Sequence, residues 1–137
     1  MRFLLYAALA VASLNTMAEP LTIERIFAGG SLDGPSPRAL KISPDGKRVT
    51  VLRAKAADQN RFDLWAYEIE NKQLELLVDA DTIEPADGET VSMEEQARRE
   101  RARTAGFSGI VDYQWSADGS QLLFPLSEQL YLYTLGA

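Results

Sequence analysis

The side chains best suited to chemistry are concentrated between residues 79 and 105 of the 137-residue sequence. Acidic residues come first, at Asp79, Asp81, Glu84, Asp87 and Glu89. Basic residues follow, at Arg98, Arg99, Arg101 and Arg103. The chain has no His and no Cys, which excludes a Ser-His-Asp or Cys-His nucleophile and an imidazole or thiolate metal site within it. Cation binding by carboxylates and anion or carbonyl binding by arginines remain as possible chemistries.

The acidic residues do not follow the spacing of an EF-hand calcium loop. Counting from Asp79 places Asp81 at the third position, as required, but Ile83 occupies the fifth. Glu84 stands where the loop needs Gly, and Thr90 stands where it needs a bidentate Glu. We therefore expect a solvated acidic loop, and we predict neither a metal nor a cofactor for this chain.

The basic residues lie in a segment, 92–105, that predicts a helix. Ser92 with Glu95 three residues later forms a capping box, and Gly106 is the predicted C-terminal cap. Two acid–base pairs at i,i+4 support the helix, namely Glu94 with Arg98 and Glu95 with Arg99.

Helical geometry divides the arginines between two faces. One face is polar and predicted to be solvated, and its members are Glu95, Arg99, Glu100 and Arg103. Arg101 lies on another face, with Ala97 at i−4 and Arg98 at i−3, so no acid on the helix neutralises it. Such an Arg either pairs with a group from elsewhere or binds an anion. The ordinary alternative is a solvated helix face without a specific ligand.

The segments around this helix predict strands. Alternating or continuous apolar runs occupy 39–43, 47–52, 62–69, 73–78, 111–116, 121–125 and 129–135, and 21–27 is interpreted as a short strand or lead-in. The turn Ser43-Pro44-Asp45-Gly46 returns 73 residues later as Ser116-Ala117-Asp118-Gly119. Strand aromatics, expected to pack between strands, are Trp65, Tyr67, Trp115, Tyr131 and Tyr133.

This repeat predicts an all-β fold of the β-propeller kind. We expect the amino-terminal part of a propeller, with about two blades of four antiparallel strands. The first blade is 39–78, a helical insert spans 79–109 with its arm at about 92–105, and an incomplete second blade is 110–137. A chain of this extent is expected to lack blades that a closed ring needs.

The amino terminus predicts export. Met1-Arg2 and the apolar run 3–14 match a secretory signal peptide, with small residues at Thr16 and Ala18 for cleavage before Glu19. We therefore predict a signal peptide at 1–18, a mature segment at 19–137 and a periplasmic or secreted bacterial protein. The net charge of −6 argues against a nucleic-acid partner.

Taken together, six segments resemble bacterial dipeptidyl peptidase IV. They are LTIERIF at 21–27, SLDGP at 31–35, SPDGKRV at 43–49, DLWAY at 63–67, EEQARRERAR at 94–103 and GIVDYQWS at 109–116. The arginine-rich helix followed by the Gly-Ile-Val-x-Tyr strand is the most particular of these. The resemblance implies an eight-bladed propeller stacked on an α/β-hydrolase domain, which removes X-Pro or X-Ala dipeptides from peptide amino termini.

The resemblance also implies that catalysis and substrate positioning belong to different parts of the full-length enzyme. The Ser-Asp-His triad belongs to a carboxy-terminal hydrolase domain, expected to be absent from this chain, and the full-length enzyme can be a homodimer. The helix resembles an arm that projects an Arg towards the substrate, and Arg101 and Arg103 are the candidates on it. Members of the family without this arm supply the Arg from the loop that matches 53–61 here, which makes Arg61 a third candidate. Glu94-Glu95 does not correspond to the family's amine-binding pair of Glu residues, which lies on a later propeller segment.

Two other functions fit the same strands. A non-enzymatic periplasmic propeller that acts as a scaffold or binding module is the main alternative, although a plain scaffold does not need an inward-reaching arm. A related acylaminoacyl or prolyl tripeptidyl peptidase would keep the fold and change the length of the substrate.

Overall fold

A computed structural model of the chain describes residues 21–27 and 36–136. The predicted signal peptide and most of the Gly- and Pro-rich sequence at 29–37 lie outside these residues. The chain divides into two compact units, 1–30 and 31–137. No helix in the described residues is both long enough and apolar enough to cross a membrane.

In the first unit, the described residues form one short helix, α1 (Ile23–Phe27). The prediction of a strand at 21–27 is therefore wrong. The Thr22 hydroxyl accepts a hydrogen bond from the Arg25 N–H (3.2 Å) and the Thr22 carbonyl accepts one from the Ile26 N–H (3.1 Å). Thr22 thus satisfies donors that the first turn of a helix leaves unpaired, and the spacing of Ile23 and Ile26 also suits a helix.

The second unit begins with a four-stranded antiparallel meander. Its strands are β1 (Arg38–Ile42), β2 (Arg48–Ala54), β3 (Arg61–Glu68) and β4 (Gln73–Val78), in the order β1-β2-β3-β4. These bounds confirm the four strands predicted for the first repeat. Two helices follow, α2 (Ala80–Ile83) and α3 (Met93–Arg101). The strand β5 (Ser108–Gly109) then pairs in parallel with the start of β3.

A second antiparallel sheet completes the described chain. Its strands are β6 (Gln114–Trp115), β7 (Gln121–Leu126) and β8 (Gln129–Thr134), in the order β6-β7-β8. The strand predicted at 111–116 is limited to Gln114–Trp115. Tyr113, just before it, is buried in the core, and its hydroxyl donates to the Ala39 carbonyl of β1 (2.6 Å). Burial raises the pKa of Tyr113 to about 12. The expectation of a mostly antiparallel, all-β chain is confirmed.

The two Asp-Gly turns repeat each other bond for bond. Ser43 Oγ donates to Asp45 Oδ1 (2.5 Å) and accepts from the first backbone N–H of β2 (2.9 Å). Ser116 Oγ donates to Asp118 Oδ1 (2.6 Å) and accepts from the first backbone N–H of β7 (2.9 Å). The glycine after each aspartate has a φ of +71° or +72°. Several hydrogen bonds to its carboxylate lower the pKa of Asp118 to about 2, and the bond from Ser116 has the largest effect.

The core lies between the two sheets. Each sheet contributes an inner face: that of the first sheet includes Thr50, Leu52 and Leu64, and that of the second includes Trp115, Leu122, Phe124, Tyr131 and Tyr133. The Trp115 indole N–H donates to Thr50 Oγ1 across this boundary (3.0 Å). The packing role predicted for Trp115, Tyr131 and Tyr133 is thereby confirmed.

The two sheets use opposite faces for this contact. By the 73-residue repeat, Leu122 and Phe124 correspond to Val49 and Val51. Those valines lie on the other face of the first sheet, in register with Tyr67 and Trp65. The first sheet therefore contacts the second with one face of the repeat, and the second sheet contacts the first with the opposite face of the repeat. The two sheets have the same orientation in the stack.

Gly109 provides a test of how β5 joins the first sheet. Its φ is +70°, and a Cβ there would lie 2.6 Å from the Phe62 carbonyl oxygen. We expect Gly109→Ala to lower the free energy of unfolding by at least about 2 kcal/mol, from left-handed strain together with displacement of β5. Urea unfolding followed by circular dichroism measures the loss.

Gly106→Ala is the matched control, because a Cβ at Gly106 would meet no atom within 4 Å. We expect its unfolding free energy to change by less than about 1 kcal/mol. Equal destabilisation by the two substitutions would contradict the steric explanation for Gly109.

Candidate functional site

Several acidic and basic residues of the insert form one connected ion-pair network with side chains of the first sheet and of the segments next to the insert. Its cations are Lys41, Lys55, Arg61, Arg98 and Arg99, and its anions are Asp63, Asp79, Asp81, Glu89, Glu95 and Asp112. The network joins β1, the β2–β3 connection, both helices of the insert and the segment before β6. The sequence had suggested a solvated acidic loop and a solvated helix face instead.

Arg61 lies at the buried centre of this network, with its side chain 2% exposed. Its Nε donates to Asp81 (2.6 Å), its Nη1 to Glu89 (2.5 Å) and its Nη2 to the Glu84 carbonyl (2.5 Å). The bond from Arg61 is the largest of the effects that hold the pKa of Asp81 below its usual value. Arg61 has no nitrogen directed to solvent for a ligand, so its candidacy for substrate binding is wrong for this structure.

Glu89 connects Arg61 to the helix. One carboxylate oxygen accepts from Arg61 and from the Gly109 N–H (2.9 Å), and the other lies 3.4 Å from Arg99 Nη1. The Glu89 side chain is only 5% exposed. This part of the acidic run is therefore buried and paired, and the prediction of a solvated loop is wrong for it.

Lys55 gathers three carboxylates at the other end of the insert. Its Nζ lies 2.5 Å from Asp79, 3.0 Å from Asp63 and 3.1 Å from Asp81. Burial opposes the charge on Lys55, but these bonds outweigh it and raise the pKa of the amine. The bond from Lys55 likewise lowers the pKa of Asp79, which also caps α2 by accepting from the Asp81 N–H. Lys55 thus occupies the place that a bound cation would need.

On α3, Glu95 pairs with two arginines at once. It accepts from Arg98 (2.6 and 2.8 Å) and from Arg99 (2.8 Å), so the predicted Glu95–Arg99 pair is confirmed, whereas Arg98 bonds to Glu95 rather than to Glu94. The bonds from Arg98 are the main cause of a lowered pKa at Glu95. Arg99 also donates to the Phe107 carbonyl (3.1 Å).

Arg99 is therefore a buried residue, 5% exposed, and its predicted position on a solvated face is wrong. The capping box is confirmed only at its first half, where Ser92 Oγ accepts from the Glu95 N–H (3.2 Å). The Glu95 carboxylate bonds to arginines instead of the cap, because two guanidinium groups are stronger partners than one backbone donor.

The network ends at β1. Arg98 Nη1 lies 3.5 Å from Asp112, and the other oxygen of Asp112 lies 3.6 Å from Lys41 Nζ. The Lys41 ammonium also lies 4.6 Å from the centre of the Tyr113 ring. Asp112 thereby links Arg98 on α3 to Lys41 on β1, the edge strand of the first sheet.

The helix ends earlier than predicted, at Arg101. The backbone N–H groups of Arg103 and Thr104 bond back to carbonyls in the last turn (3.0 and 2.7 Å), and Arg103 has a φ of +57°. This is a Schellman arrangement with Arg103 where Gly usually stands, so the prediction of Gly106 as the cap is wrong. Arg103 therefore lies beyond the helix and not on the polar face assigned to it.

Arg101 and Arg103 differ from the other two arginines of the cluster. Both are exposed, and their side chains make no hydrogen bond or ion pair with any residue the structure describes. Of the four arginines, Arg98 and Arg99 therefore attach the helix through ion pairs, whereas the side chains of Arg101 and Arg103 are accessible to a ligand. Their part in substrate binding stays a prediction.

A groove of about 310 Å³ lies between the start of α3 and the β7–β8 hairpin. It is lined by Ser92, Glu94, Glu95, Arg98, Arg99 and residues 125–130. The Thr90 N–H donates to Ser127 Oγ nearby (2.8 Å). Within 21–27 and 36–136, no group of three or more acidic side chains is arranged to hold a metal ion.

Removing Glu89 should be more damaging than removing any exposed charge of the insert. Glu89→Ala leaves Arg61 and Arg99 buried without a common partner, and we expect it to lower the free energy of unfolding by about 3–5 kcal/mol. Arg99→Ala should cost about 2–4 kcal/mol, since Glu89 keeps its bonds to Arg61 and Gly109. Arg101→Ala is the control and should change stability by less than about 0.5 kcal/mol. Urea unfolding of the four proteins compares them, and equal stability for Arg99→Ala and Arg101→Ala would contradict the buried network.

The paired carboxylates also predict a loss of stability in acid. Asp79, Asp81 and Glu95 have pKa values lowered by their paired cations. Because these folded-state values lie below the unfolded ones, their contribution is complete above about pH 5 and disappears as the pH falls through the folded-state values. We expect a constant urea midpoint from about pH 5.5 to 8 and a steady decrease below about pH 4.5. Glu95→Gln should make that decrease shallower, and an unchanged midpoint at about pH 3 would contradict the assignment.

A comparison of the chain with models of known protein families finds no matching family. Its function is therefore inferred from its residues and from the geometry of the insert and the two sheets.

Proposed function

We propose that this chain is the amino-terminal propeller segment of an exported serine peptidase similar to bacterial dipeptidyl peptidase IV. In this proposal the mature protein is periplasmic or secreted and releases X-Pro or X-Ala dipeptides. The segment positions the substrate and limits access to the site. Bond cleavage belongs to a hydrolase domain that carries the Ser-Asp-His triad.

The observation that carries this proposal is the directional stacking of two related meanders. Blades of a propeller repeat one sheet around an axis, so each blade presents the same face to the next. The inner faces described above have that relation, since Leu122 of the second repeat corresponds to Val49 on the far face of the first. A two-sheet sandwich related by a dyad would instead bury equivalent faces against each other.

The anchoring of α3 supports the role of an arm. Arg99 holds the helix to the rest of the insert through Glu89, and Arg98 links it to the segment before β6 through Asp112. The end of the helix carries Arg101, and the turn after it carries Arg103, both exposed. A rigid support with a free guanidinium at its tip is what orientation of a ligand carbonyl requires.

The proposed chemistry for the free Arg is recognition and not proton transfer. Its guanidinium donates a hydrogen bond to the carbonyl of the second residue before the scissile bond, so the dipeptide keeps a fixed position relative to the triad. An Arg stays charged at every working pH and orients a carbonyl through its planar group of donors. The sequence has no His that could act as the general base of a Ser-His pair, so that proton transfer belongs to the proposed hydrolase domain.

The experiment uses the exported protein that contains this chain, purified as the cell produces it. We expect it to hydrolyse glycyl-prolyl-4-nitroanilide and to react with a fluorophosphonate probe for an activated serine. Arg101→Ala or Arg103→Ala should lower kcat/KM by roughly 10- to 100-fold, which is about 1.4–2.8 kcal/mol. Lys47→Ala removes an exposed cation from the first Asp-Gly turn and should leave kcat/KM unchanged.

The outcomes separate the two classes of function. Absence of both hydrolysis and probe labelling would reject the peptidase and leave a binding module. Full activity in both arginine variants would keep the peptidase and reject the arm. The groove beside α3 is the observation that favours a binding module, because its volume suits a short peptide segment.

A further inference from the structure

The turn that follows α3 is closed around Thr104. The Arg99 carbonyl accepts hydrogen bonds from both the Thr104 N–H (2.7 Å) and the Thr104 hydroxyl (3.3 Å). On the other side, the Thr104 carbonyl accepts a hydrogen bond from the Phe107 N–H (3.0 Å). Within residues 101–106, Thr104 is the one residue that is not exposed. Thr104 therefore connects the last turn of the helix to the segment that leads into β5.

Both ends of this turn are attached to the rest of the second unit. At its start, Arg99 is buried and paired with Glu89. At its end, the Phe107 ring packs edge to face on Phe62, with 5.2 Å between the ring centroids, and the Arg38 guanidinium lies 4.2 Å from the centre of the Phe107 ring. The Arg99 guanidinium also donates to the Phe107 carbonyl (3.1 Å), which joins the two ends directly. The ends of the turn are thus fixed, and its shape depends on the hydrogen bonds inside it.

Arg103, the residue before Thr104, has a left-handed backbone with a φ of +57°. Between residues 79 and 107, all of which the structure describes, it is the only residue with a positive φ. A glycine adopts this conformation readily, whereas an Arg adopts it at a cost in free energy. Strained residues of this kind persist where the surrounding structure enforces them, and they are concentrated at functional sites. Here the strained residue carries an exposed guanidinium.

We propose that Thr104 is a positioning residue that holds the Arg103 guanidinium in place for the ligand carbonyl. This proposal rests on the proposed function, and it assigns the carbonyl contact to Arg103 rather than to Arg101. Arg101 belongs to the regular helix, so its backbone conformation does not depend on the bonds of Thr104. When those bonds are lost, Arg103 relaxes to a negative φ and its side chain leaves the turn in another direction. Thr104 acts through Arg103 and does not itself contact the substrate.

The experiment compares Thr104→Gly with Thr104→Ser in the exported protein that contains this chain. Glycine removes the hydroxyl bond and frees the backbone of the turn, whereas serine keeps the hydroxyl. With glycyl-prolyl-4-nitroanilide as the substrate, Thr104→Gly should lower kcat/KM at least about fivefold, but no further than Arg103→Ala lowers it. Thr104→Ser is the matched control and should stay within about twofold of the wild type.

A double substitution distinguishes positioning from a general loss of stability. When Arg103 is already Ala, no guanidinium is left to position at that residue, so adding Thr104→Gly should cause no further loss of kcat/KM. When Arg101 is Ala, the loss caused by Thr104→Gly should remain in full. Losses that multiply in the Arg103→Ala protein would overturn the proposal.

Limited cleavage by trypsin tests the turn without any peptidase activity. Cleavage of the Arg101–Ala102 bond requires local opening of the turn, so its rate follows the population of the open form. Thr104→Gly should raise this rate at least about fivefold and Thr104→Ser should not, after correction for the cleavage rates of peptides 97–107 with the same substitutions.

The two measurements separate the possible failures. An unchanged trypsin rate in Thr104→Gly would overturn the role of Thr104 in closing the turn. A faster trypsin rate with unchanged kcat/KM would overturn its role in positioning Arg103. A wild-type protein without hydrolytic activity would overturn the proposed function and the assignment of Thr104 to it, whereas the trypsin rates would still decide whether Thr104 closes the turn.

Discussion

The arrangement of the insert depends on one buried carboxylate, that of Glu89. It receives hydrogen bonds from Arg61 on β3, from Arg99 on α3 and from the backbone of Gly109 on β5. Three segments that are separate along the chain thus share a single partner. A carboxylate with 5% exposure is tolerable only because these donors replace the water that it loses.

The ion pairs of Arg98 and Arg99 attach one side of α3 to the rest of the second unit, and the carboxy-terminal end of the helix stays exposed. A helix of nine residues is marginal by itself in water. Arg99 and Arg98 attach it to the rest of the second unit through acids of the loop and of the segment before β6. The positions of Arg101 and Arg103 follow from that attachment and not from any contact of their own. The rigidity proposed for the arm is therefore a property of the network.

The way the two sheets stack also determines which of their faces stay exposed among the described residues. A meander repeated in one direction buries one face of each sheet and leaves the complementary faces at the two ends of the stack. In the described residues these ends are apolar, with Ile42 at one and Leu132 at the other. In the propeller proposed above, further sheets of the same protein would cover these faces.

What the sequence determined by itself is local. Alternating apolar residues and the two Asp-Gly turns specified seven strands and their repeat, and Ser92 specified where α3 begins. These features depend on residues within a few positions of each other, where the backbone geometry of turns and strands is decided. The short helix α1 was missed because the apolar residues of 21–27 fit the alternation of a strand as well as the spacing of a helix. The Thr22 cap stabilises the helical alternative.

Only the tertiary structure decided which charges are buried. Helical periodicity gives the angle of Arg99 around its axis, but it does not indicate which side of the helix meets the protein. The acids that pair with Arg61 are 20 and 28 residues away, and the intervening chain could have carried them elsewhere. Arg61 and Arg99 therefore became anchors and Arg101 and Arg103 stayed free, because the fold brought buried carboxylates to one pair and left the other pair in solvent.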